Sequence, residues 1–205
     1  MFHHFHNEHH LPAQGSLSSH DFIEMIDWLS KHYSTLNASQ YKINFQKGTL
    51  KDTDICLSFD DALKCQYDIA VPVMESLGIE AFFFVYSSAF SDNPDPLEIY
   101  RYFRCNSFEN IDEFYKHFFE IVQQRNHEEF TSHYSKYLQQ NYLSDFPFYS
   151  ENDKWFRYLR DQYLGEKQYD EIMANLMAKK DFDINIARQR LWISEEELVN
   201  TASKD

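Results

Sequence analysis

DICLSFDDALKCQYDIAVPVMESLGIEAFFFVYSS, residues 54–88, is the stretch on which the reading of this 205-residue chain turns. Residues 54–59 form a short apolar run of the kind that makes a buried strand. Residues 62–77 read as a helix with Ala70, Val73, Met74 and Leu77 facing inward and Gly78 at its C′ position. Pro72 lies inside that stretch and either bends it or marks a late helix start. EAFFFVY (80–86) is too short for a helix of such apolarity and reads as a second buried strand. Strand, helix, glycine and strand within about 30 residues make a βαβ unit with parallel strands.

Asp60 and Asp61 follow the first strand directly. In a parallel sheet the residues just past the carboxyl ends of strands face the crevice where ligands bind. Two like charges in contact push one pKa upward. Chemistry relieves this by giving one carboxylate to a metal and leaving the other as a base. The structural alternative is that either Asp caps the following helix, a favoured use of that residue.

Elsewhere the chain divides in character. MFHHFH can form a short strand with Phe2 and Phe5 as its apolar members. Ser18 and Asp21 make a capping-box-like start, after which Phe22, Met25, Ile26, Leu29 and Tyr33 fall on one helix face. YKINF (41–45) reads as a further short strand. After the loop SDNPDP (91–96), four or five helices are expected with hardly a strand between them. Their clearest 3–4 pattern is Ile111, Phe114, Tyr115, Phe118, Phe119 and Val122, which marks core rather than an exposed sugar-stacking face. LWISEEEL (191–198) opens a last helix with Ser194 and Glu197 as its capping box.

The stretch 55–88 resembles the first motif of the polysaccharide deacetylases, the NodB-homology domain of carbohydrate esterase family 4. Their pattern is an apolar strand, Thr-Phe-Asp-Asp-Gly, a helix with Ala-x-Pro-x-Leu, a Gly, and a strand like Ala-Thr-Phe-Phe-Val. MFHHFH is similar to the family's opening strand, GSLSSHDFIEMIDWL to its following helix, and LWISEEEL to the segment leading into its second motif. The resemblance implies the N-terminal part of a distorted (β/α) barrel over residues 1–90, a helical insertion over 91–190, and the start of a further barrel helix over 191–205. It also implies a hydrolase of non-peptide carbon–nitrogen bonds that removes acetyl groups from a carbohydrate with a divalent metal, usually zinc. Carried across, Asp60 is the general base and Asp61 a metal ligand, while His3 aligns with the strand-end His and belongs near the substrate pocket.

The chain departs from the family in three places. Ser58 and Ala62 stand where Thr and Gly are usual, and both look tolerable. The His-(Ser/Thr)-x-x-His motif that supplies two imidazole ligands is absent from these 205 residues, so half of the metal site would lie beyond residue 205. A partial barrel leaves an open strand edge, and self-association through that edge is expected.

A formal charge of −14 argues against nucleic-acid binding, since no excess of Lys and Arg is present to displace counterions. No apolar run is long enough to span a bilayer. MFHHFHNEHH has neither the basic nor the apolar region of a secretory signal. Cys56, Cys65 and Cys105 form neither a disulfide framework nor a CxxC pair, so a cytoplasmic setting is expected. His6 and His10 are four apart, but their flanks suggest strand and loop, which makes adventitious surface binding the better account. His117, His127 and His133 fall in the helical region and read as structural or solvated. Two other functions compete. One is a non-catalytic sugar-binding or scaffold protein; the other is an Asp-based phosphotransfer enzyme, ranked last because Asp-x-Asp and a Gly-rich phosphate loop are both missing.

Overall fold

The computed structural model describes residues 1–202. Helices hold 61% of the chain and the strands pair only two at a time, so the fold is α-rich and the expected (β/α) barrel does not form. The described residues fall into two compact units. Unit 1 joins Met1–Ile99 to the segment that begins at Asn185, and unit 2 spans Tyr100–Ile184.

Unit 1 opens with α1 (Ser19–His32), started by the expected capping box: Ser18 Oγ accepts from Asp21 N at 3.1 Å and Asp21 Oδ2 accepts from Ser18 N at 2.9 Å. Only Phe22 and Ile26 of its apolar face are buried, while Met25 and Tyr33 are exposed. Phe22 meets the rings of Phe2, Phe5 and Phe59 edge-on, at 5.0, 5.1 and 6.0 Å. That aromatic cluster ties the N-terminal segment to the strand ahead of the acidic pair.

Residues 54–59 do not run as one strand. β1 (Ser34–Thr35) pairs in parallel with β2 (Asp54–Ile55), and β3 (Ser58–Asp60) pairs in parallel with β4 (Phe82–Phe84), Ser58 opposite Phe82. On the other side of β3, Phe2 makes a single parallel bridge to Phe59. Residues 41–45, expected as a strand, lie within α2 (Ala38–Lys47). Asn37 enters that helix in an extended conformation. Gly48, at φ 65°, closes it with its N–H directed to Asn44 and Phe45 carbonyls.

The helix expected over 62–77 is found over 64–77. Its first part winds as a π turn (Gln66–Ala70) that runs without a break into α3 (Val71–Leu77), with Pro72 close to the junction. Gly78, at φ 66°, ends it. Closing a barrel requires successive parallel strands to pair around a full circle. Here the ladders are two and three residues long, and from Leu97 onward every described regular element is a helix.

Unit 2 takes most of α4 (Leu97–Asn106), then α5 (Ile111–Arg125), α6 (His127–Leu138), α7 (Glu151–Tyr158), a π segment (Leu159–Leu164) and α8 (Gly165–Lys179). Asn110, Asn126 and Ser150 each cap a helix by accepting from the backbone N–H three residues on. Phe114, Phe118 and Phe156 are fully buried and meet one another with ring centroids 4.9 to 5.8 Å apart. The chain then returns to unit 1 as α9 (Ile184–Leu191) and α10 (Glu195–Ala202). Ser194 and Glu197 make the expected capping box at the start of α10. No described helix is long and apolar enough to cross a membrane, and no disulfide links the three cysteines.

Candidate metal centre

β3 ends at Asp60, and there the chain turns sharply. Asp61 and Ala62 both adopt left-handed backbone, at φ 67° and 51°. For residues with a Cβ that conformation costs about 1–2 kcal/mol each. Such strain persists only where the surroundings enforce it, and it gathers at functional sites. Part of the enforcement is visible: the Ala62 carbonyl accepts from Ile193 N at 3.0 Å, and Leu63 forms an antiparallel bridge with Trp192.

The turn carries both carboxylates to the end of the N-terminal segment. His3 Nδ1 lies 3.0 Å from Asp60 Oδ1 and 3.2 Å from Asp61 Oδ2. One ligand atom from each of the three residues falls within 4.8 Å of the others, and among the described residues this is the single such grouping of His, Cys, Asp and Glu. The side chains are partly open, 41% exposed for His3, 22% for Asp60 and 29% for Asp61, so a small molecule can reach them.

The polar accounting is incomplete. Nδ1 is aligned for a hydrogen bond with Asp61. Toward Asp60 it sits within ion-pair distance but off the bonding direction, so Asp60 Oδ1 is buried without a hydrogen-bond partner. Burial pushes the Asp60 carboxyl above the usual aspartate range; His3 opposes the shift and the Asp61 charge adds to it. An orphaned, desolvated oxygen beside a second carboxylate and an imidazole nitrogen is a donor set suited to a divalent cation. Zinc bonds to N and O donors of about 2.0–2.2 Å place tetrahedral ligand atoms roughly 3.3–3.6 Å apart, close to the 3.0 and 3.2 Å that separate His3 Nδ1 from the two carboxylates.

The structure therefore brings His3, Asp60 and Asp61 into one cluster. The remaining histidines take other partners: His6 Nδ1 contacts Ser16, His10 Nε2 contacts Asp68 at 2.8 Å, and His4 Nε2 contacts Glu98 at 2.8 Å. His6 and His10 thus share no ligand geometry. His117 lies beside Glu113 and Glu120, and His127 beside Gln123, both within unit 2. His133 Nδ1 is buried without a hydrogen bond, and desolvation holds its imidazole below the ordinary histidine value. A mostly apolar cavity of about 380 Å³ in unit 1, lined by Val71, Met74, Phe83 and Leu198 among others, includes none of the three cluster residues.

Sequence reasoning did not single out Gln66 or the left-handed turn. The one available signal was a lone amide placed between Cys65 and Ile69 in an otherwise apolar inward pattern. No protein-family model, curated protein or solved structure matches this chain.

Proposed function

We propose that this chain is a metal-dependent carbohydrate deacetylase, a hydrolase that removes an acetyl group from an N- or O-acetylated sugar. The observation that carries the reading is the convergence of His3 Nδ1, Asp60 Oδ1 and Asp61 Oδ2 at the carboxyl end of β3, on a strained turn. The similarity of residues 55–88 to the first deacetylase motif supports it. His3 and Asp61 would hold the cation, with zinc favoured by the mixed nitrogen and oxygen donors. When bound, the cation would supply Lewis acidity toward the acetyl carbonyl and toward water. Asp60, with its carboxyl already raised by burial, is the group that takes the proton from the attacking water.

Partner and compartment follow from the same reading. The outer edge of β4 has no strand partner among the described residues, and pairing of two copies along it is the contact to look for by sedimentation. Three cysteines without a disulfide accord with a reducing cytoplasm.

Two measurements test the function. Calorimetric titration of the metal-free chain with zinc should give micromolar or tighter binding that is lost in Asp61→Asn. Acetate release from N-acetylglucosamine oligomers should be abolished by Asp60→Asn while zinc binding survives. Zinc binding without release of acetate from any acetylated sugar would turn the reading toward a sugar-binding scaffold.

A further inference from the structure

Gln66 is among the most deeply buried polar residues of the protein, 1% exposed, and it opens the π turn that follows the acidic pair. Its Nε2 donates to the His3 carbonyl at 2.8 Å and to the Asp60 carbonyl at 2.7 Å. A primary amide nitrogen carries two hydrogens, so one group serves both acceptors.

The identity of those acceptors is what matters. They belong to the two residues whose side chains must meet at 3.0 Å for the cluster to exist. Phe2 and Phe59 are the last residues of the two segments joined by a bridge, and no further ladder pair ties His3 to Asp60. Past that bridge the two backbones are tied by the buried Gln66 amide, which donates to a carbonyl of each. The left-handed turn at Asp61 and Ala62 supplies the means, because it folds the chain back so that residue 66 reaches the carbonyl of residue 60. Leu63 contributes by accepting from Gln66 N at 3.0 Å, which fixes the backbone from which the amide projects. A π turn at this place agrees with the tendency of such turns to occur at functional sites.

We propose that Gln66 is a positioning residue for the metal centre: its amide holds the His3 backbone to the Asp60–Asp61 turn, and so sets how the two side chains that would hold the cation, His3 and Asp61, face each other and how tightly they bind it. The inference rests on the reading of the cluster as a metal site. Gln66 touches no ligand atom itself and acts only through the backbone of His3 and of Asp60, the residue before Asp61.

The test uses the full chain, with zinc followed by calorimetry and cobalt by its visible absorption. Gln66→Met keeps the volume and removes both donors. Gln66→Asn keeps the donors but is one carbon too short to span both carbonyls. Each should bind zinc on the order of 10-fold or more weakly than the wild type, the usual cost of losing an outer support of a metal site. The cobalt spectrum should change shape as well as affinity. Met74→Ala, a core truncation in the same unit, should lose stability and keep its affinity. In a His3→Ala background the Gln66→Met change should cost about 2-fold or less, since the spacing then has nothing to serve.

A folded Gln66→Met chain that binds zinc like the wild type, or loses the same factor with and without His3, overturns the positioning role and leaves the metal centre standing. If Gln66→Met does not fold, the same readings on Gln66→Asn decide the matter. A wild-type chain that takes up neither metal removes the metal centre, and this role with it.

Discussion

Ala62→Gly isolates the strain in the turn. Ala62 sits at φ 51° with 4% of its surface exposed, so its methyl group is both badly placed for the backbone and well placed for packing. Replacing it relieves about 1–2 kcal/mol of left-handed backbone cost. Against that, glycine gives the unfolded chain extra freedom that costs about 0.4–1 kcal/mol. The lost buried methyl costs a further ~0.8 kcal/mol. The opposing effects nearly cancel, and the expected change in unfolding free energy is within about 1 kcal/mol of zero. Ala70 supplies the comparison: it is fully buried, but its backbone is right-handed at φ −77°, so Ala70→Gly has the same losses and no relief. It should lose roughly 1.5 kcal/mol. Gly78→Ala supplies the converse, since at φ 66° an added Cβ meets nothing within 4 Å, and the left-handed backbone cost is offset only by the reduced freedom of the unfolded chain. Urea unfolding of the three variants reads all of this directly. If Ala62→Gly loses as much as Ala70→Gly, the turn carries no strain and its use as evidence for a functional site fails.

The remaining predictions concern charge and packing. Asp60→Asn should raise the melting temperature of the metal-free chain at pH 7, because the native carboxyl is pushed up by burial and the charged form is the disfavoured one. Stability tied to a raised acid is complete below its unfolded pKa and lost as pH rises through the folded value. The advantage of Asn should therefore vanish in scans below about pH 4; a gain that persists there would point to packing instead. Glu197 behaves oppositely: burial works against its carboxylate, but bonds from Lys64 and Ser194 outweigh it and hold it below the usual glutamate range. Its contribution is present above the unfolded pKa and fades as pH falls through the folded one. Glu197→Gln should thus cost about 0.5–1 kcal/mol at pH 7 and little below about pH 4, with equal loss at both pH values counting against the pairing. In unit 2, Phe156→Ala removes a fully buried ring that meets Phe114, Phe118 and the Arg104 guanidinium. It should cost about 3–5 kcal/mol by calorimetry, and a loss under 1 kcal/mol would mean the bundle is not packed as described.

What the sequence makes legible here is local. Gly78 after an inward-facing run ends a helix at a position with φ 66°, and Pro72 lies close to the junction of the π turn with α3, because both residues restrict or free their own backbone irrespective of distant partners. The capping boxes at Ser18 and Ser194 are read correctly for the same reason: donor and acceptor lie three residues apart. Residues 41–45 fail because an apolar pentapeptide says nothing about whether a strand partner awaits it. Without one, Asn37 before it and Gly48 after it frame a helix. The run 54–59 fails in a related way, since its two halves pair with different neighbours, β1 and β4, and no pattern within the run records that choice.

The same distinction separates the candidate site from the fold around it. The site depends on a path of about a dozen residues: a strand end at Asp60, two left-handed residues, and a π turn that sends Gln66 back beneath the strand. Most of that path is contiguous chain, which is why a short motif can point to it, although the turn is also held from outside by Ile193 and Trp192. Barrel closure depends on strands that must come from elsewhere in the chain, and the described residues after Leu97 are occupied by helices. A local turn that gathers His3, Asp60 and Asp61 within 4.8 Å therefore does not need the barrel in order to form. It needs the Phe2–Phe59 bridge and the aromatic cluster around Phe22 to bring the N-terminal segment alongside, the Ile193 and Trp192 contacts to hold the turn, and one buried amide to keep the segments together.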